Sequence, residues 1–256
     1  MRHFVYATAA VAQAEIRKLM RDPTELLSRA IQPVLWLAVF GQVFSKVRGI
    51  PTGNIGYLDF MAPGILAQSI LFSAIFYGIA IIWERDLGIV HKLLVTPAPR
   101  TALVLGKAVA AGLRGLVQAI VVYLVAIVLD VGIWWNFWAM VSVALAVFLG
   151  SCIFSTFSLV IACIVKTRER FMGIGQVLTM PLFFASNAIY PIELMPGWLK
   201  AIAIVNPLTY LVDALRGSMI VGGHGIYSQV TSFGVMSAVF LVLLVIATRL
   251  YPDLVR

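Results

Sequence analysis

Long stretches without Asp, Glu, Lys or Arg dominate the pattern: 24 residues at Phe60–Trp83, 35 at Val131–Val165, 22 at Phe171–Ile192 and 32 at Gly217–Thr248. A helix needs roughly 20 mainly apolar residues to cross the hydrocarbon of a bilayer. The pattern therefore predicts an all-α polytopic membrane protein with six transmembrane helices. The expected spans are Ala30–Phe44, Phe60–Trp83, Ala108–Leu129, Ala139–Val165, Phe171–Ile189 and Val230–Thr248. The first is short, and Arg29 and Lys46 extend it by snorkelling. The segment from Gly49 to Asp59, with Pro51, Gly53 and Gly56, reads as a turn-rich loop. Trp134, Trp135 and Trp138 beside the 130–137 loop suit an interfacial aromatic belt.

Three segments depart from the spanning pattern. In residues 1–29, Val5, Ala9, Ala12, Ile16 and Leu19 form an apolar stripe with Glu15, Lys18 and Arg21 opposite, ending at Asp22-Pro23. This predicts an amphipathic helix, either lying in the membrane interface or capping the bundle in solvent. In residues 84–100, Leu87, Val90, Leu93 and Leu94 recur at helical spacing, while Glu84, Arg85, Gly88, His91 and Lys92 fill the other side. Thr96-Pro97-Ala98-Pro99 stops that helix, because proline lacks the amide donor and forbids helical geometry before it. Such a helix between two spans serves either as a handle for a soluble partner or as a solvated loop on the headgroups.

The third segment, residues 190–216, is too polar and proline-rich for a simple span. Pro191 and Pro196 interrupt helix, and Asn206 is placed to cap a helix whose first residue is Pro207. Asp213 and Arg216 stand three apart on that helix, at pairing distance. Two short re-entrant half-helices between spans five and six fit this composition, since irregular backbone at membrane depth must be shielded by protein.

Composition sharpens the picture. The chain has 256 residues, 61% hydrophobic and 12% charged, with a formal charge of +8. The positive charge is unevenly placed. Fourteen Lys and Arg residues fall on the side of the termini, the 84–107 segment and the 166–170 loop; Lys46, Arg48, Lys200 and Arg216 fall on the other. The positive-inside rule then puts both termini and the 84–100 segment in the cytoplasm of a multi-pass cell-membrane protein. The net charge reflects that bias, so no nucleic acid is expected as a partner. No cleavable signal peptide is expected either, since residues 1–29 carry scattered charges and no long apolar core.

Several chemistries are excluded. Cys152 and Cys163 lie eleven apart, which on one helix is roughly 16 Å along the axis, too far for a disulfide. His3, His91 and His224 lack metal-ligand spacing, so no metal is expected. Ion-coupled transport needs ionisable groups at mid-membrane, and none of the acidic residues lies well inside a span. Only Lys107 and Arg114 are embedded, with Gln118 a turn further on. Lys107 is within snorkelling reach of the surface. Arg114 and Gln118 read as pathway or dimer contacts, or Arg114 as a snorkelled interfacial arginine. No catalytic set is present, and no phosphate-binding G-x-x-x-x-G-K-[ST] loop: around Gly106-Lys107, Thr101 and Ala108 occupy the places of the first glycine and the hydroxyl. If transport is powered, another chain supplies the power.

In this order and spacing, the chain resembles the membrane (permease) subunits of type-2 ABC transporters, the exporter class of drug-resistance and polysaccharide-export permeases. The residues that carry the likeness run along nearly the whole length. They are Arg21-Asp22-Pro23, Glu84-Arg85-Asp86-Leu87-Gly88 through Leu94, Thr96-Pro97, Arg100 and Gly106-Lys107. Beyond these come Pro191, Met195-Pro196-Gly197-Trp198-Leu199, Asn206-Pro207-Leu208-Thr209-Tyr210, Asp213 and Arg216. The resemblance implies a single permease domain over 1–256 that pairs with a second copy and docks a separate P-loop ABC ATPase. ATP and Mg would bind on that partner, with no cofactor on this chain. It implies that Glu84–Leu94 is the coupling helix, with Glu84, Arg85, Gly88, His91 and Lys92 at the ATPase, beside the N-terminal interfacial helix. It also implies an extracellular gate built from Pro196, Trp198, Asn206, Pro207, Tyr210, Asp213 and Arg216. The cargo would be a hydrophobic drug-like molecule, a lipid or a lipid-linked glycan. A reading of another class is a non-transporting membrane scaffold that docks a cytoplasmic partner.

Overall fold

The computed structural model describes residues 2–21, 31–45, 55–165 and 167–255. In chain order the helices are α1 (Arg2–Arg21), α2 (Ile31–Ser45), α3 (Tyr57–Asp86), α4 (Ile89–Val95) and α5 (Arg100–Val128). Then follow α6 (Phe137–Ile164), α7 (Arg168–Phe184), α8 (Gly197–Val205), α9 (Pro207–Met219) and α10 (Gln229–Leu250). α2 carries a π-helical stretch at Trp36–Gly41. The Asp22-Pro23 stop and the loop at 46–54 lie outside the described residues.

Four of these helices, α3, α5, α6 and α10, are long and apolar enough to cross a membrane, and the bent pair α8–α9 makes a fifth if counted as one span. The uncharged runs thus predicted α3, α6 and α10, with their ends displaced, while α5 forms on a stretch interrupted by Lys107 and Arg114. α5 begins at Arg100, eight residues before the expected start, directly after the extended Pro99 at its N-cap position, whose carbonyl accepts from Ala102 N at 2.8 Å. α7 is the reverse case. Its apolar run continues to Ile189, but the helix stops at Phe184 after 17 residues.

One side chain explains that stop. The Asn206 amide donates to the carbonyls of Leu182 (2.6 Å) and Ala185 (2.8 Å), satisfying acceptors that a helix end leaves open. Its Oδ1 accepts from Leu208 N at 3.0 Å, so the same residue caps α9, with Pro207 at the first helical position as expected. α8 and α9 consequently meet at a bend of 78°.

The bundle is centred on α3 and α6, which are buried along most of their length. With little hydrophobic drive between helices in lipid, close approach and hydrogen bonds hold them. Ser158 Oγ donates to Ile75 O at 2.7 Å, and Ser142 and Ser218 hydroxyls meet at 2.8 Å. At Gly64, an added Cβ would stand 2.1 Å from Ala188 O, so the turn after α7 rests directly on α3.

The end of the bundle remote from α4 is tied by main chain. Ile133 and Ile220 form an isolated antiparallel bridge, with Trp134 N donating to Met219 O (2.8 Å) and Val221 N to Gly132 O (2.9 Å). Gly132 N also donates to Asp59 Oδ1 at 2.8 Å.

α1 packs along α5, in a rotation that differs from the expected one. Val5 and Ala9 of the expected apolar stripe are exposed, whereas Ala12 and Glu15 are buried. The cause is Gly106 on α5, where a Cβ would lie 2.7 Å from Val11 Cβ and 2.8 Å from Thr8 O. That contact sets the face, and Glu15, one turn past Val11, turns inward with it.

Candidate functional site at the root of α4

The expected helix over Glu84–Leu94 is two pieces. α3 runs on to Asp86, Leu87 closes it, and Gly88 takes a left-handed φ of +71° before the seven residues of α4. Nothing lies within 4 Å of a Cβ built on Gly88, so backbone conformation explains the glycine at this position. α4 ends where the sequence predicts: Thr96 is extended, and its hydroxyl donates to Leu93 O at 2.6 Å.

α4 buries Val90 fully and packs Leu93 and Leu94 on a cluster that includes Ile82, Leu103, Val104, Tyr251 and Leu254. Leu87, expected on that apolar face, falls at the break and is exposed. His91 and Lys92 are exposed, Val95 is 86% exposed, and Arg85 and Gly88 are half-buried. Glu84 differs from the other four: it is only 7% exposed and turns into the bundle.

There it joins a ring of alternating charge. Glu84 Oε2 lies 2.6 Å from Lys107 Nζ, and Lys107 Nζ lies 3.1 Å from Glu15 Oε1. Glu15 Oε1 is 3.4 Å from Lys18 Nζ, and Lys18 closes the ring on Glu84 Oε1. α1 contributes two members, Glu15 and Lys18, and α3 and α5 one each. Lys107 is 2% exposed and Glu15 is 4% exposed, so the sequence expectation that Lys107 snorkels to the surface is corrected: its charge ends on two carboxylates. Buried charges persist only when paired this closely, because stranding one costs several kcal/mol.

Arg114 is attached to the ring. Its Nη2 lies 3.4 Å from both Glu15 Oε2 and Glu15 O, and its guanidinium carbon lies 4.8 Å from the centre of the Tyr77 ring. Burial alone would push the Glu15 carboxyl up, but the charges of Lys107, Lys18 and Arg114 and the Lys107 hydrogen bond hold it at about 2. Gln118, one turn along from Arg114, is buried, and neither end of its amide has a hydrogen-bond partner among the described residues.

A second charged contact ties α7 to the end of α3. Arg168 Nη2 meets Asp86 Oδ2 at 2.7 Å while the guanidinium lies 3.5 Å over the Trp83 ring, and Arg85 Nη2 holds the other Asp86 oxygen at 2.8 Å.

The residues expected at the remote end separate into two groups. Pro196 and Trp198 are exposed. Asn206, Tyr210, Asp213 and Arg216 are buried and bonded internally. Asp213 receives Asn187 Nδ2 and Tyr227 N (2.9 Å), and Arg216 Nη2 donates to Asn187 O (2.7 Å) and Phe60 O (3.2 Å). The expected Asp213–Arg216 pair is long, at 4.0 Å. Tyr210 donates to Ile204 O at 2.7 Å and stacks on Tyr227.

Sequence reasoning set Glu15 on the outward polar side of its helix, passed over Tyr77, and gave the embedded Lys107 a snorkelling route to the surface. The available signal was Gly106-Lys107: a glycine in an apolar helix admits close approach of another backbone, and a lysine buried beside it needs a counter-charge.

The chain as a whole is similar to known proteins. The sequence model described as ABC-2 type transporter matches residues 6–220, from α1 to the end of α9. A Cyanophora paradoxa protein named "Putative transport permease ycf38" is 30% identical over 201 residues, spanning 78% of this chain and 69% of its own. The daunorubicin resistance ABC transporter permease protein DrrB1 of Streptomyces coeruleorubidus is 23% identical over 197 residues, 77% of this chain and 69% of its own. An Escherichia coli K12 protein named "Probable multidrug ABC transporter permease YbhR" is 29% identical over 177 residues, 66% of this chain and 46% of its own. The apolar helices, the short helix between two of them and these likenesses agree, and the chain belongs to the ABC-2 type transporter family.

Proposed function

We propose that this chain is the membrane half of an ATP-driven exporter, working as a pair of identical copies with a separate P-loop ATPase docked on α4. Both termini and α4 then face the cytoplasm, in accord with the Lys and Arg bias. α2 and α7 complete six spans with the four long helices, and α8–α9 re-enter from the outer face, with Pro196 and Trp198 at the mouth. The cargo class is amphipathic or lipid-like, as the mainly apolar spans and the drug-resistance relatives suggest.

The observation that carries this reading is the form of α4. It offers His91, Lys92 and Val95 outward, while its root joins α1, α3 and α5 through buried charges. An exposed rod on a firmly held base is what a partner needs to move several helices together. A headgroup-lying loop helix needs no such base.

Labelling tests this without knowing the cargo. Val95→Cys, in a chain whose two native cysteines are buried, is treated with a membrane-impermeant maleimide. Labelling is expected in inverted vesicles only, and it is expected to be blocked when the copurifying ATPase is bound. The purified chain alone is expected to show no ATP hydrolysis. Labelling from the outer face, or no protection by any ATPase, overturns the assignment.

A further inference from the structure

We infer that Glu15, Lys18, Glu84 and Lys107 form a rigid joint that locks α1 to the root of α4, and that these four act as positioning residues rather than as contacts for a partner. The consequence for transport rests on the docking role proposed above. The joint itself does not.

The connectivity is closed: each lysine meets both carboxylates, and each carboxylate meets both lysines. No single bond therefore carries the link between α1 and α3. The ring also fixes register. Sliding α1 by one residue rotates its face by about 100° and shifts it by about 1.5 Å, which would take Glu15 and Lys18 out of reach together. A purely apolar contact tolerates such slips, whereas a buried ion pair with one satisfied geometry does not. Arg114 reinforces the register by reaching both the side chain and the main-chain oxygen of Glu15. The close seat of Thr8 and Val11 on Gly106 keeps α1 against α5 along the same line.

The need for such a joint is visible one turn away. The link from α3 to α4 passes through Gly88, at positive φ with open space beside its Cα, so no side-chain packing braces the turn itself. A push on α4 would be lost in that turn unless the surrounding helices were already held as one piece. Val90 seats α4 on the cluster containing Leu103 of α5, and the ring binds α5 to α1 and α3 just behind it. The assembly behind the glycine then moves together.

The test uses spin labels at Gln13→Cys on α1 and Val95→Cys on α4, both exposed, with pulsed dipolar distances in nanodiscs. The wild-type chain is expected to give one narrow distance, alone and with the ATPase trapped by vanadate. Glu84→Gln and the milder Lys18→Gln, which strands no buried carboxylate pair, are each expected to broaden the distribution and add a second maximum. Lys18→Arg is expected to restore the narrow one, which loss of folding would not permit. Ring variants as narrow as wild type, or a wild-type distance that moves on trapping, overturn the joint. A second pair, Val95→Cys with the exposed Val230→Cys on α10, separates the two claims. If that distance ignores trapping while the first pair stays narrow and sensitive to Lys18→Gln, the docking role falls and the joint stands.

Discussion

Acid should release α1 before it unfolds the bundle, and the size of the effect follows from Glu15. Its carboxyl is held at about 2 in the fold against an ordinary value of 4.5. A depressed folded value means stability that is fully present above the ordinary value and is lost as pH falls towards the folded one. The whole difference amounts to about 3 kcal/mol, and at about pH 3 roughly 2 kcal/mol of it is gone, or ~30-fold in the closed-to-open ratio. Because α1 lies on one side of α5, that loss appears first as local opening. Hydrogen exchange of peptides covering Ala9–Lys18, corrected for intrinsic rates, is expected to accelerate by about that factor between pH 6 and pH 3, with α6 unchanged. Glu15→Gln removes the titrating group. It is expected to exchange faster at neutral pH and to lose most of the acid dependence. An α1 whose protection is the same at both pH values in the wild-type chain would refute the electrostatic account of its docking.

Two glycines on different helices give an internal comparison. Gly64→Ala places a methyl 2.1 Å from the Ala188 carbonyl, where only backbone can yield, and is expected to lower folded yield in detergent. Gly173→Ala on α7 meets nothing within 4 Å and is expected to be neutral or to stabilise by up to ~1 kcal/mol, read by thermal unfolding. Gly88→Ala has space but must adopt the left-handed turn, at a cost of about 1–2 kcal/mol. It is expected to leave the long helices intact and to speed proteolysis between α4 and α5.

What the sequence made legible was whatever depended on neighbours in the chain. The uncharged runs marked α3, α6 and α10, because length without charge is a local property. Asn206-Pro207 announced the cap of α9 for the same reason. The stop of α7 at Phe184 was not legible, since the amide that satisfies its last carbonyls comes from Asn206, beyond the intervening α8. The face of α1 was misread on an ordinary assumption, that a glutamate on an amphipathic helix points to water. Gly106 and Lys107 reverse that, and they lie 91 and 92 positions from Glu15 along the chain. The ring as a whole combines residues 15, 18, 84 and 107, and no spacing rule joins them. Of the expected coupling residues, His91 and Lys92 lie on the outer face of α4, while Glu84 serves its base.

The short ladder joining Ile133 and Ile220 has a corollary for how the molecule yields to its surroundings. Its hydrogen bonds run between uncharged peptide groups, so neither protons nor salt weakens them appreciably. The opposite pole, where α1 is fastened, rests on carboxylates that acid neutralises, while their burial keeps salt from screening them strongly. Lowering the pH therefore loosens the fastening of α1 while leaving this main-chain bridge intact.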